Sequence, residues 1–238
     1  MFALTSACSP FGSGIEDGAQ DGGRPDGASG PAIGICADAG DAFCDDFERE
    51  EVTGAWTVHH RSGSSTLTID DAHASSPSRS LRVFMPAGGN ASAHWISYPS
   101  KANARTFELS FSMRFASLPD ATVELASIAF GDGGEVSLTW QAARGQLLIG
   151  EQDDPDGGTG RYNTAAIGVP PIGAFIRYDL IVDLDQKKVR LATSAPGLGG
   201  GLTLKFHHAS SQQVSIGSID ADRPSADWTV WFDDVVIR

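Results

Sequence analysis

The chain has 238 residues, among them 28 glycines and 12 prolines, with 41% apolar side chains and a formal net charge of −13. That charge excludes a nucleic-acid binder, because contact with phosphates needs a basic footprint. The turn-forming content, with no helical stripe longer than a turn or two, speaks against a helical bundle and points to an all-β fold.

In chain order, the first feature is "LTSAC" at residues 4–8. A bacterial lipoprotein signal ends in leucine, one or two small residues and the cysteine that becomes lipidated. Leu4-Thr5-Ser6-Ala7-Cys8 resembles it, with Leu4 one position further upstream than usual, so Cys8 is the expected lipidation site. Residues 9–42 hold Gly, Asp, Ala, Ser and Pro with almost no large apolar side chain. Such a segment cannot bury enough surface to offset its ordering entropy and is expected to be a flexible linker. Residues 1–8 then read as the remnant of a lipoprotein signal, and residues 43–238 as the folded domain. The layout implies a bacterial envelope protein, exported and lipid-anchored or secreted, touching the membrane only through its anchor. Strong acidity favours a soluble monomer. Cys36 and Cys44 flank the domain entrance and are expected to form a local disulfide, since two thiols without a CxxC spacing make a poor zinc site.

From Phe43 onward the pattern is that of strands. In "RTFELSFSMRF" Phe107, Leu109, Phe111, Met113 and Phe115 share one face, and "FIRYDLIVDLDQ" repeats the alternation. Shorter strands are predicted at "AWTVHH", "STLTID", "SLRVFM", "AHWISY", "TVELASIAF", "EVSLTW", "QLLIG", "KVRLAT", "LTLKF", "QVSIGSI" and "WTVWFDDVVI". The apolar phase slips between Leu125 and Ile128, which predicts a β-bulge. A dozen or so strands at this spacing predict a two-sheet antiparallel sandwich.

The order of "FCDDFE", "SPSRSLRV", "FELSFSMRF", "RYDLIVDLDQKKVRLAT", "SIGSI" and "WFDDVVI" resembles the concanavalin A-like lectin/glucanase jelly roll, including its laminin G-like bacterial branches. The resemblance spans residues 43–238. It implies one concave sheet, with ligands bound across that face or its rim loops. The β-glucanases of this superfamily carry Glu-x-Asp-x-x-Glu on one strand, supplying the two carboxyls that a retaining hydrolase needs. In "GGEVSLTW" Glu135 matches the first acid, but Ser137 and Trp140 stand where the others would be. The hydrolytic set is therefore broken, and Glu135 reads as a solvated strand residue. The resemblance also implies a structural calcium where an aspartate of the last strand meets the first. Asp233 matches that position, and Asp46, with Asp45 and Glu48 nearby, supplies oxygens in principle.

Another acid set, Glu151, Asp153 and Asp156, falls beside Pro155 and two glycines and reads as a solvated turn. Arg161 and Tyr162, the residue types that a polysaccharide lyase would use, fall in a predicted loop. Exposed indoles stack on sugar rings, which makes Trp95 and Trp231, with Glu135, the expected carbohydrate contacts. Trp140 shares its phase with Val136 and Leu138 and is expected to be buried. These readings converge on a non-catalytic glycan-binding or surface-adhesion module, whose partner is a polysaccharide or surface glycan. The alternatives are a glycoside hydrolase or polysaccharide lyase with a rearranged site, and a structural surface protein without a small ligand.

Overall fold

The computed structural model describes residue 36 and residues 43–49, 56, 58–61, 64–88, 93–97, 104–131, 133–153, 161–205 and 212–238. Cys8 and the expected linker, apart from Cys36, lie outside the described residues. Among those described, fifteen strands follow one another. They begin with β1 Phe43–Asp45, β2 Val58–Arg61, β3 Thr66–Asp70, β4 Ser80–Met85 and β5 Ala93–Ser97. Next come β6 Thr106–Phe115, β7 Val123–Phe130, β8 Gly134–Gln141, β9 Gln146–Asp153 and β10 Arg161–Gly168. The last are β11 Ile176–Asp183, β12 Lys188–Thr193, β13 Gly200–Thr203, β14 Gln212–Ser218 and β15 Trp228–Ile237.

They form two antiparallel sheets. The first runs β13-β12-β11-β6-β15-β4-β3, with β1 also paired to β15, and the second runs β10-β9-β8-β7-β14-β5-β2. The crossing of the chain between sheets makes the jelly-roll sandwich that the alternating pattern predicts. Period-two alternation puts Phe107, Leu109, Phe111, Met113 and Phe115 on the inner face of β6, beside Tyr178 and Leu180 of β11 and Phe232 of β15. Val136, Leu138, Trp140, Ile149, Val214 and Ile216 line the inner face of the second sheet and belong to the same core. Each such large side chain contributes about 1.5–3 kcal/mol by leaving water. Phe111 stacks on Tyr178 with ring centroids 5.5 Å apart.

Among the described residues, three register shifts interrupt the pairing, one of them between Ala166 and Gly168 of β10. The ladder between β7 and β8 slips between Glu124 and Ala126, where the apolar phase predicts it. Another slip lies between Asp233 and Val236 of β15, with Asp234 at a φ of 53°. Sequence and structure differ at β10. Its "RYNTAAIG" is made of small and polar residues with little alternation, so nothing in the pattern distinguishes it from a loop. It is a strand because it adds to the edge at β9 through main-chain hydrogen bonds.

The domain entrance is fastened twice. Cys36 and Cys44 are joined by a disulfide, with Cα atoms 5.4 Å apart. One residue on, the buried Asp45 accepts the Phe47 N–H at 2.9 Å and the Trp56 indole N–H at 2.6 Å, and it pairs with Arg49.

Candidate functional site

The outward face of the second sheet is polar at its centre. Along β8, the residues between the core positions Val136, Leu138 and Trp140 are Glu135, Ser137, Thr139 and Gln141. Register carries this face sideways: Ser137 lies opposite Ser127 of β7, which lies opposite Ser215 of β14. On the other side Ser137 lies opposite Gly150 of β9. Three serines thus cross three adjacent strands in one row. Gln213 on β14 and Gln152 on β9 continue the same face one row away.

The bulge at Leu125 decides what stands next to that row. Without it, alternation from Ser127 would point Leu125 outward and Glu124 inward. The extra residue turns Glu124 out, opposite Thr139. From there its carboxyl reaches the Ser127 hydroxyl and forms a side-chain hydrogen bond with Glu135. Burial, then the Glu135 charge, pushes Glu124 up to about 8. At neutral pH it therefore keeps its proton. Glu135 is half-buried and paired with another acid, and the expectation of a solvated strand residue is corrected accordingly.

Several polar atoms here have no hydrogen-bond partner among the described residues. Glu124 Oε1 and Gln141 Oε1 are buried and unpaired. Ser137 is only 4% exposed. Buried polar groups left unmet cost about 1–3 kcal/mol each, so such a group calls for an explanation.

The other expected site residues are placed differently. Trp95 pairs with Ile216 of β14, and its side chain lies outside the described residues. Trp231 is on the outward face of the first sheet but only 6% exposed. The His73 ring meets its edge at 4.6 Å, the Arg114 guanidinium lies over it at 4.6 Å, and its N–H donates to Asp70 at 2.5 Å. Both the ring and its polar tip are occupied within the protein, so the expected sugar platform at Trp231 is corrected to a packed residue. Trp140 is buried and donates its indole N–H to the Pro119 carbonyl at 2.7 Å. Glu151 is a fully buried strand residue, not part of a solvated turn. It accepts from the Lys205 N–H and from Asn163 at 3.3 Å. Arg161 and Tyr162 lie on β10, not in a loop.

Asp233 is fully buried on the first sheet. Its Oδ2 accepts the N–H groups of Ser75 at 2.7 Å and Ser76 at 3.1 Å, and its Oδ1 accepts the Asp234 N–H at 2.8 Å. Asp46 turns an oxygen to the Glu48 N–H at 3.5 Å. A calcium ion takes six to eight oxygens, whereas the Asp233 carboxylate is already engaged by three backbone donors. Among the described residues no group of three or more His, Cys, Asp or Glu is placed to hold a metal. The side chains of Asp233 and Asp46 do not fit a calcium site.

No protein-family model matches the sequence, and no curated protein is similar to it in sequence. Solved structures share the fold. An endo-β-1,4-glucuronan lyase from the fungus Trichoderma reesei superposes with a TM-score of 0.57 at 14% identity, over 76% of this chain and 90% of that one. A cellulose induced protein, Cip1, gives 0.55 at 15% identity, over 82% and 96%. A botulinum neurotoxin type C, whose cell entry depends on two ganglioside molecules, gives 0.51 at 11% identity, over 75% of this chain and 42% of that one. The chain therefore shares the jelly-roll sandwich fold of these structures. Identities this low establish the fold and nothing about the site.

Proposed function

We propose that the protein binds a glycan along the outward face of the second sheet without cutting it. The observation that carries this reading is the row of outward polar side chains on β8, in which Glu135, Thr139 and Gln141 are half-buried rather than packed away. Carboxyl, hydroxyl and amide groups such as these can both accept from and donate to sugar hydroxyls. Glu135 to Gln141 covers about 20 Å of strand, long enough for several sugar rings. Support comes also from the company the fold keeps, which includes a glucuronan lyase, a cellulose induced protein and a ganglioside-dependent toxin. In the same reading, residues 9–42 tether the domain to a lipidated Cys8 on a bacterial envelope. Incorporation of labelled fatty acid that is lost in Cys8→Ser tests that attachment.

Absence of cutting rests on geometry. Carboxyl pairs that hydrolyse glycosides stand about 5–5.5 Å apart in retaining enzymes and about 6.5–9.5 Å in inverting ones. Along β8, Ser137 and Trp140 stand where the second and third acids would be, so Glu135 has no carboxyl partner on its own strand. One observation favours a second reading as a hydrolase: a carboxyl that keeps its proton at neutral pH is a ready general acid.

Affinity gels loaded with a panel of soluble polysaccharides test the binding reading with the full chain. Retardation by at least one polymer, weakened in Glu135→Ala, is expected, and no retardation by any polymer overturns it. Release of reducing ends from the same polymers would replace the binding reading with the hydrolase.

A further inference from the structure

We propose that the outward edge of the first sheet, at Lys187, Lys188, Arg190 and Lys205, is a docking strip for an acidic polysaccharide, a polymer that carries carboxylate or sulfate groups along its length. The strip lies on the opposite sheet from the glycan face at β8, and the inference stands or falls without that reading.

Cations are gathered here in a molecule that is otherwise acidic. Lys187, Lys188 and Lys205 are three of the chain's four lysines, in a protein with a net charge of −13. Strand register brings them together with Arg190. Val189 and Leu191 of β12 are buried in the core, so Lys188 and Arg190 point outward, about 7 Å apart along the strand. Lys188 lies opposite Thr203 of β13, and Lys205 follows two residues on. Between them the Leu204 N–H donates to the Lys187 carbonyl at 2.9 Å, which holds the turn before β12 against the end of β13. All four cations are exposed.

None of the four has an internal partner to give up. Among the described residues each is without an ion pair, whereas Arg49, Arg105, Arg177 and Arg238 are each held by an acid. Two acids stand near the strip. Asp183, opposite Lys188, accepts the Gln186 N–H at 2.8 Å, and Asp185 is taken by Arg105 at 2.9 Å. Arg190 lies between Ile181 and Gly201, with no acid across from it on either side. Like charges this close repel one another, and an anion laid along them removes the repulsion. The strip therefore attracts negative charge locally, within a screening length of about 8–10 Å, although the protein as a whole repels it. That locality selects the shape of the partner. A chain one sugar wide can run along β12 and β13 and meet the cations first, whereas a flat anionic bilayer would meet Asp183 and Asp185 at the same time. Exposed Thr203 and the bare main chain at Gly201 leave the strip open on the β13 side, where sugar hydroxyls can bond.

The test measures binding of the full chain to polygalacturonate and to dextran sulfate, with uncharged dextran and phosphatidylglycerol vesicles as comparators. Binding to either acidic polymer is expected, and the tighter of the two names carboxylate or sulfate as the favoured group. It should weaken about tenfold or more between about 50 and about 200 mM salt, because each charge contact releases counterions. The double variant Lys188→Gln/Arg190→Gln should weaken it to a similar extent, with circular dichroism unchanged. Lys187→Gln/Lys205→Gln gives the same reading if the first pair fails to fold. Arg144→Gln, which removes an exposed cation from the turn between β8 and β9, should leave binding unchanged. Binding to neither acidic polymer overturns the inference, as does dextran bound as tightly as they are. Binding indifferent to both double variants overturns it, because the ligand then sits elsewhere. Equal losses in Arg144→Gln and the double variants also overturn it, because overall charge then decides. Vesicles bound in place of the polymers replace the polysaccharide with a lipid surface. Every one of these results leaves the glycan reading of the second sheet to its own test with Glu135→Ala.

Discussion

Asp233 Oδ2 accepts the backbone N–H of Ser75 at 2.7 Å, a hydrogen bond that ties the last strand to the turn between β3 and β4. The same oxygen takes the Ser76 N–H, and the neighbouring Asp234 takes the Ser76 hydroxyl. The bulge at Asp234 makes this possible by turning two consecutive acids toward the same turn.

That arrangement predicts a dependence of stability on pH. Burial, then Asp234, pushes Asp233 up to about 7, and Glu124 is raised to about 8. In each case the folded state holds a proton that the unfolded state has released, so stability falls as pH rises from about 4 towards the folded values. The melting temperature should therefore be higher at pH 5 than at pH 8. Asp233→Asn, which loses an acceptor for a backbone donor, should cost about 1–3 kcal/mol at pH 5 and flatten the decline. A melting temperature that climbs between pH 5 and pH 8 in the parent chain would refute the assignment.

Trp231→Ala should destabilise the domain by about 3 kcal/mol, because it empties the space between His73 and Arg114 and leaves Asp70 without its indole donor. Retention in polysaccharide gels should not change, since this residue lies on the first sheet. Denaturant unfolding gives the first quantity and affinity electrophoresis the second.

The chain has three cysteines, and two of them are joined, so in the denatured, unreduced protein one thiol, that of Cys8, should titrate when the chain is made without lipid attachment, and none once Cys8 is lipidated. Replacing Cys36 and Cys44 by serine should leave that thiol count unchanged and lower stability by about 2 kcal/mol, the modest gain of a short loop. Thiol counting and thermal melting check the two parts.

Gly201→Ala should detach β13 from its neighbour. A Cβ at that position would stand 2.4 Å from the Val189 carbonyl oxygen, a backbone atom of the strand to which β13 pairs. A cost of about 1–3 kcal/mol is expected, together with faster amide exchange at Gly200–Thr203.

The sandwich was legible because β6, β11 and β15 carry long alternating runs whose phase leaves one arrangement for the core. The slipped phase around Leu125 was legible too, though not its consequence. Glu124 became a partner for Glu135 only through the register of two neighbouring strands, and no spacing along the chain encodes that register. A search for acids that change face at a predicted bulge could have found it. Trp231 shows the opposite limit. Alternation puts it on an outward face, but its cover comes from Asp70 and His73, some 160 residues earlier in the chain.

The pairing of β1 with β15 has a mechanical consequence. Phe43 lies opposite Ile237 and Cys44 opposite Val236, so the strand that enters the domain and the strand that leaves it end side by side. A force drawn between the two ends would open this ladder one rung at a time, like a zipper, because the load falls on the first pair alone. The covalent bridge shifts where that load enters. Tension arriving at Cys36 passes directly to Cys44, sparing the peptide between them, and is met next by the anchored carboxylate of Asp45. A protein pulled through its N-terminus would thus have a built-in strain relief at the point where the pull reaches the fold.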